Sequence, residues 1–137
     1  MILVRTANAA DVAQVVDLWD RAGGPTRHAG RRREATILLG RDPEALLVAV
    51  EDDTVLGALI VGWDGWRCHL YRLAVDGDAR RRGIARQLVG AARVRGAGLG
   101  AVRIDAMVDP DNEAAVSFWA SAGFALDADC RWSLLGR

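Results

Sequence analysis

Between Glu44 and Val75 three apolar runs follow one another with little between them: EALLVAVED, TVLGALIVGW and RCHLYRLAV. Each is short and partly β-branched, the composition of a strand. Asp52 and Asp53 divide the first two, which suits a hairpin. The GWDGW segment before the third contains Asp64-Gly65, a pair that tolerates positive φ and favours another hairpin. Three consecutive antiparallel strands are therefore expected at the centre of the fold.

The flanks read in other periods. ILVRTA is a short first strand, and Asn8, with Asp11 three residues on, is a helix start. Val12, Val15, Val16, Trp19 and Ala22 then recur on one helical face until GGP ends the helix. The Arg-rich, then apolar stretch from Thr26 to Gly40 is read as a second helix. After the three strands comes a helix with Ile84, Leu88 and Ala91 on one face, then GAVRIDAMV as a strand. On that strand Val102, Ile104, Ala106 and Val108 oppose Arg103, Asp105 and Met107. DPDNEAAVSFWASAGF is a last helix, with Ala115, Phe118, Trp119 and Ala122 sharing a face and Gly123 placed to end it in a left-handed conformation. FALDADCRWSLLG supplies one or two closing strands. The expected order is β-α-α-β-β-β-α-β-α-β: an α/β (α+β) fold whose central mixed, mostly antiparallel sheet has six to seven strands and about four helices. With 137 residues the chain is expected to form one domain, residues 1–137.

Charge narrows the partners. The 18 basic and 18 acidic side chains cancel, and every basic one is Arg, because the sequence contains no Lys. A nucleic-acid binder held by bulk electrostatics carries a positive excess, so no nucleic-acid partner is expected. Cys68 and Cys130 have neither zinc-ligand nor CxxC spacing and are read as structural thiols; no metal is expected. The opening MILVRTANAAD lacks a signal-peptide core, and no apolar run approaches the ~20 residues that span a bilayer. A soluble cytoplasmic protein without a membrane partner is the expectation.

VDGDARRRGIARQLV, Val75 to Val89, concentrates positive charge where a strand ends and a helix begins. The first amides of a helix lack intrahelical partners and the peptide dipoles sum there to a partial positive charge, so such an end receives anions. Gly83 lets backbone approach a ligand without a Cβ, and Arg81, Arg82 and Arg86 can add charge-assisted bonds. A diphosphate is the natural occupant. Neither GxxxxGK[ST] nor a GxGxxG after a strand is present, and GAGLG at Gly96–Gly100 falls between a helix and a strand, the wrong order for a dinucleotide fold.

These residues resemble the GNAT superfamily of acyl-CoA-dependent N-acyltransferases. Arg80-Arg81-Arg82-Gly83-Ile84-Ala85 matches its [QR]-x-x-G-x-[GA] signature and follows LYRLAV, which looks like the strand preceding that signature. NEAAVSFWASAGF, Asn112 to Phe124, resembles its second block, N-x-x-A-x-x-[FL]-[YW]-x-x-x-G-F, and VRTANAADVAQVVDLW looks like its first strand and helix. GWDGWRCHLYRLAV is most like small bacterial members with a GYDGHRG turn. The resemblance implies acetyl-CoA, or another acyl-CoA, as cosubstrate. It implies that amides from Arg81 to Arg86 hold the diphosphate, that the backbone of Leu73 and Val75 bonds the pantetheine, and that one amide of the Leu73-Ala74-Val75 strand polarises the thioester carbonyl. It further implies that RIDAMV splays away to open a cleft, with Asn112 near the pantetheine and Phe118 and Trp119 beside the acyl end. Small members often pair as homodimers.

Acyl transfer to a primary amine of a small molecule or peptide needs a neutral nucleophile, a stabilised oxyanion and a protonated or tolerated thiolate. The resemblance suggests direct attack in a ternary complex. His69 is the candidate base, since alternation puts His69, Tyr71, Leu73 and Val75 on one face. The family's usual acid is a Tyr where this chain has Trp119, so Tyr71, the sole Tyr, is the alternative donor, with a packing role set against it. Arg31 to Arg33 could gate an anionic substrate or form a solvated helix face. Trp63 and Trp66 could line an acceptor pocket; Asp105 and Glu51 could orient an amine; His28 suggests no role. The alternative to an enzyme is an acyl-CoA-binding sensor that has lost turnover, which the missing Tyr permits.

Overall fold

Two tight turns built from acidic residues organise the centre of the chain. Asp52 and Asp53 both take positive φ, +50° and +66°, the pairing that a two-residue hairpin demands. At the other turn Gly65 sits at φ +95° while the Asp64 carboxylate accepts the amides of Trp66 (2.8 Å) and Arg67 (2.7 Å). These turns join β2 (Leu46–Glu51), β3 (Thr54–Trp63) and β4 (Arg67–Val75) in the expected antiparallel meander.

The computed structural model describes residues 1–22 and 31–126. Among them the sheet has five strands in the order β1-β2-β3-β4-β5, with β1 (Leu3–Thr6) antiparallel at one edge and β5 (Arg103–Ala106) parallel to β4 at the other. The expectation of six to seven strands is thus corrected to five for these residues. Most of the closing-strand segment, like Cys130, lies in residues 127–137, outside the described ones, and Phe124 to Leu126 form no strand. His28 lies outside them too.

The chain divides into two units, Met1–Met107 and Val108–Arg137. In the first, α1 (Val12–Ala22) and α2 (Arg31–Arg41) cover one sheet face. Asn8 caps the entry to α1 through a 3-10 turn: its Oδ1 accepts the Ala10 amide, and its own amide donates to Asp11. Arg5 donates to both Asp11 oxygens, and this pairing holds the Asp11 carboxyl below its usual range. Val12, Val15, Val16 and Trp19 bury the α1 stripe against Leu46, Val48, Val50, Ala58 and Ile60.

Helix α3 (Ile84–Leu99) covers the opposite face with Ile84, Leu88, Val89, Ala92 and Gly96. The third position of its stripe is Ala92; Ala91, expected there, is only half-buried, because the helix meets the sheet along i, i+4, i+8. Gly96 allows this closeness: a Cβ there would lie 2.6 Å from Ile104 Cδ1 and 3.7 Å from the buried Cys68 sulfur. Arg95 reaches off the helix to the Val61 carbonyl and to both oxygens of Asp42 (3.0 and 2.8 Å).

In the second unit, α4 (Glu113–Ser121) is capped by Asn112, whose Oδ1 accepts the Ala115 amide at 3.0 Å, and closes at Gly123, φ +95°, as the sequence predicts.

Candidate functional site

The Arg72 residue of β4 breaks the alternation of its strand. Tyr71 lies opposite Ile60 and Ala74 opposite Ala58, so two residues of β4 face one of β3, and Arg72 takes φ +58°. That is a β-bulge. It corrects the expected single face: His69 and Tyr71 share one side, but Ala74 joins the Tyr71 side in the α1 core, and Leu73 and Val75 turn toward α3. Val75 pairs with Gly57, whose absent Cβ would point at Ile84 and Leu88 of α3.

The bulge coincides with the end of β5. Pairing between β4 and β5 runs from Arg67–Arg103 to Leu70–Ala106 and closes with the Met107 amide on the Leu70 carbonyl at 2.9 Å. Beyond it, Tyr71 to Val75 has no β5 partner, so the two strands part here. Asp76 donates to Leu56 of β3 at 2.8 Å; strand alternation therefore points the N–H and C=O of Leu73 and Val75 to the vacated side. Two backbone positions there are presented as a hydrogen-bonding edge.

Past Val75 the chain makes a 3-10 turn, Gly77–Ala79, buries Ala79, and swings through Arg80 to Gly83 into α3. Arg81 and Gly83 both take left-handed φ, +67° and +75°. Gly83 is the N-cap; no side chain caps the helix, its first turn holds no acid, and the first intrahelical bond is Gln87 to Gly83 at 3.0 Å. The amides of Ile84, Ala85 and Arg86 thus begin the helix without intrahelical acceptors. A Cβ on Gly83 would meet nothing within 4 Å, so the approach is open. Arg80, Arg81, Arg82 and Arg86 are exposed, whereas Ile84 is buried and anchors the turn to the sheet. Such an end suits a diphosphate by its donors and its partial positive charge. One side chain departs from expectation. Arg82 makes a two-pronged pair with Glu51 (3.0 and 2.7 Å), which pulls the Glu51 carboxyl down to about 2. Glu51 is therefore engaged by Arg82 and by the N-terminal ammonium, 3.2 Å from its Oε2.

The imidazole of His69 is held between two carboxylates. Nδ1 lies 2.8 Å from Asp105 on β5 and Nε2 3.0 Å from Asp64 in the hairpin turn. Asp64 first, then Asp105, raises its pKa by favouring the imidazolium, while burial opposes them. The Asp64 carboxyl is pulled down to about 2, by the Arg67 amide most and by His69 next. Taking up a proton requires a free ring lone pair, so in this geometry His69 must first lose a ring proton and turn that nitrogen away from its carboxylate. Its visible task is to tie the β3–β4 hairpin to β5. Trp63 is half-buried and Trp66 stands 67% exposed beside the same turn.

On the α1 and α2 face a cleft of about 370 Å³ opens, bounded by Trp19, Arg31, Glu34, Arg41, Tyr71 and Arg72 among others. Its size is that of a small-molecule site. Trp19 Nε1 donates to the Arg72 carbonyl at 3.0 Å, and the Arg72 guanidinium lies 5.9 Å from the Trp19 ring centre. Tyr71 stands in the wall; His69 is not among the lining residues. Trp19 and Arg72 escaped the sequence reading as site residues. Trp19 was legible as core, and nothing in a single sequence marks the bulge that brings Arg72 forward.

Asn112, Phe118 and Trp119 belong to the second unit. The Asn112 side chain is spent on its cap, and Trp119 is buried with edge contacts to Phe118 (5.3 Å between centroids) and Phe124 (4.8 Å). No cluster of His, Cys, Asp and Glu suited to a metal ion occurs among the described residues, nor a helix long and apolar enough to cross a membrane.

Comparison with known proteins bears on this geometry. The profile of the Acetyltransferase (GNAT) family matches residues 12–124. An acetyltransferase of Sodalis glossinidius is 31% identical over 116 residues, 85% of this chain and 82% of its own; one of Pectobacterium atrosepticum is 29% identical over the same shares. Among solved structures, Ard1 from Thermoplasma volcanium superposes with a TM-score of 0.83 at 20% identity, covering 93% of this chain and 84% of its own. The aminoglycoside N-acetyltransferase AAC(6')-Iy in complex with CoA gives 0.82 at 18% identity, covering 100% and 94%.

Proposed function

Because the chain belongs to the GNAT acetyltransferase family and is thereby an acyl-CoA-dependent N-acyltransferase, we propose that it moves an acetyl group from acetyl-CoA to a primary amine of a small molecule or peptide. The observation that carries this reading is the conjunction on one strand: β4 outruns β5 by five residues, Tyr71 to Val75, and leads directly into the uncapped start of α3. The whole chain, residues 1–137, acts as one catalytic domain in this reading, in the cytoplasm. Within the family it groups with small bacterial members that share its β3–β4 hairpin, a placement supported by curated bacterial relatives of similar length.

The amides of Arg81 to Arg86 take the diphosphate, with Arg80, Arg81 and Arg86 supplying charge, while Leu73 and Val75 hold the pantetheine as a strand would hold its neighbour. An amide of the Leu73–Val75 edge receives the oxyanion as the amine nitrogen attacks the thioester carbon. The nitrogen–carbon bond forms, the carbon–sulfur bond breaks, and the proton lost by nitrogen ends on the coenzyme A sulfur. Asn112, Phe118 and Trp119 are the cosubstrate-binding residues that the family resemblance assigns to the last helix. Tyr71, in the cleft wall, is the donor proposed for the thiolate. His69 accepts the amine proton only in molecules where it has left Asp64, and its main contribution is positional. Proximity does most of the work.

Calorimetric titration with acetyl-CoA, followed by thiol release in the presence of amines, tests the proposal. Binding in the micromolar range with amine-dependent thiol release is expected. An absence of binding at high micromolar acetyl-CoA removes the enzyme reading; binding without release across a broad amine panel favours a sensor, the second reading that Trp119 at the usual Tyr position supports.

A further inference from the structure

The cleft between α1, α2 and β4 carries a charge that acyl transfer does not itself require. Arg31, Arg41 and Arg72 reach its wall against a single acid, Glu34, among the described lining residues, and Arg31 is paired with Asp20 at 3.4 Å, which leaves Arg72 and Arg41 as the cations that carry the argument. Arg72 is held there at a cost. Its φ of +58° is a conformation that glycine enters freely and a residue bearing a Cβ does not, and Trp19 fixes it by bonding the Arg72 carbonyl. Burial and the nearby charge of Arg31 both push its guanidinium pKa below the ordinary value, with Glu34 opposing them. Among the described residues no carboxylate lies within ion-pair distance of it; its contact is the Trp19 ring. A bulge needs only glycine. Strain and desolvation spent on a cation facing a cleft point to an anion from outside.

We infer that the amine acceptor carries a carboxylate, which the guanidinium of Arg72, assisted by Arg41, binds in this cleft. The inference rests on the N-acyltransferase reading and names the acceptor class within it. Arg72 immediately precedes Leu73, so an acceptor anchored there reaches the proposed thioester edge with a spacer of a few bonds. The same arginines disfavour polycationic amines.

The test compares matched pairs with acetyl-CoA: γ-aminobutyrate against γ-aminobutyramide as free small molecules, and Ala-Glu-NH2 against Ala-Gln-NH2 as peptide amines. At least one acidic member is expected to exceed its neutral partner in kcat/KM by roughly tenfold to a hundredfold, the range of a charge-assisted bond to carboxylate; which pair responds separates the free from the peptide source. Arg72→Gly, which relieves the positive φ and keeps the fold, is expected to collapse that ratio toward one, and Glu34→Gln to raise it. Should no amine in the panel turn over, calorimetry with coenzyme A present decides: the acidic members bind and the neutral ones do not. Equal kcat/KM or equal binding within both pairs, or a ratio unchanged in Arg72→Gly, overturns the inference. Those outcomes leave acetyl-CoA binding intact, whereas failure of acetyl-CoA to bind overturns the proposed function instead.

Discussion

Gly57→Ala perturbs the seam where the sheet sets the height of the α3 N-terminus. A Cβ at Gly57 would lie 2.8 Å from Ile84 Cγ2, 3.0 Å from Leu88 Cδ1 and 3.4 Å from the Ala74 carbonyl. Carbon pairs rest at about 3.5–4.0 Å, so the Ile84 contact must lengthen by roughly 0.7–1.2 Å. Leu88 can rotate its end away. Ile84 cannot, because Cγ2 is bonded to its Cβ, so the first turn of the helix has to retreat. Overpacking of this kind costs about 1–3 kcal/mol, and replacing a strand glycine returns about 0.5–1 kcal/mol, for a net loss near 1 kcal/mol. The melting temperature is expected to fall by several degrees. Since Ile84 follows Gly83, the same retreat displaces the proposed diphosphate donors, and the acetyl-CoA Kd is expected to rise about tenfold, about 1.4 kcal/mol. Gly90→Ala is the control: on the same helix with nothing within 4 Å, it is expected to stabilise by about 0.5–1 kcal/mol. Thermal melts with and without acetyl-CoA, joined to calorimetry, read both effects. A Gly57→Ala protein that melts no lower than wild type and binds acetyl-CoA as tightly refutes the reasoning.

Three other perturbations follow from the ion pairs. The raised pKa of His69 means that its clamp stabilises fully below the unfolded value of ~6.5 and is lost as pH rises through the folded value, whereas Asp64, held at about 2, stabilises above ~3.8 and fails as pH falls toward about 2. The melting-temperature gap between wild type and His69→Gln is therefore expected to be widest between roughly pH 4 and 6.5; a gap that widens above pH 8 contradicts the clamp. Asp42→Ala leaves Arg95 partly buried without its carboxylate and is expected to cost roughly 2–3 kcal/mol in urea unfolding, less than a fully buried pair, with Asp42→Leu/Arg95→Met recovering much of it. Glu51→Gln releases the Arg82 guanidinium beside the proposed diphosphate turn; acetyl-CoA binding is expected to tighten roughly two- to fivefold at low salt, and the gain to fade as salt rises.

The meander, the capping residues at Asn8 and Asn112, the left-handed Gly123 and the turn into α3 were legible because each depends on local chemistry: an Asx side chain, a glycine, an alternation. The parting of β4 from β5 was legible only through resemblance, since nothing local marks Ala106 as the last paired residue. The bulge at Arg72 was not legible at all. It depends on β3 and β4 differing by one residue between shared partners, a property of register that neither strand carries alone. For the same reason a strict alternation carried from His69 to Val75 gave the wrong side for Leu73 and Val75. The contact of His69 with Asp105 follows from the parallel pairing of β4 with β5, a long-range contact invisible in sequence spacing, whereas Asp64 reaches it from the adjoining turn.

Three of the ion pairs that brace the first unit, Arg5 with Asp11, Arg82 with Glu51 and Arg95 with Asp42, are made by guanidinium groups. A guanidinium stays protonated throughout the range in which a protein is folded and offers no nucleophilic lone pair, whereas a lysine ε-amine is open to acylation. In a protein that handles a reactive thioester, bracing of this composition is chemically inert toward the reagent. These three struts keep their charge however long the acyl donor resides.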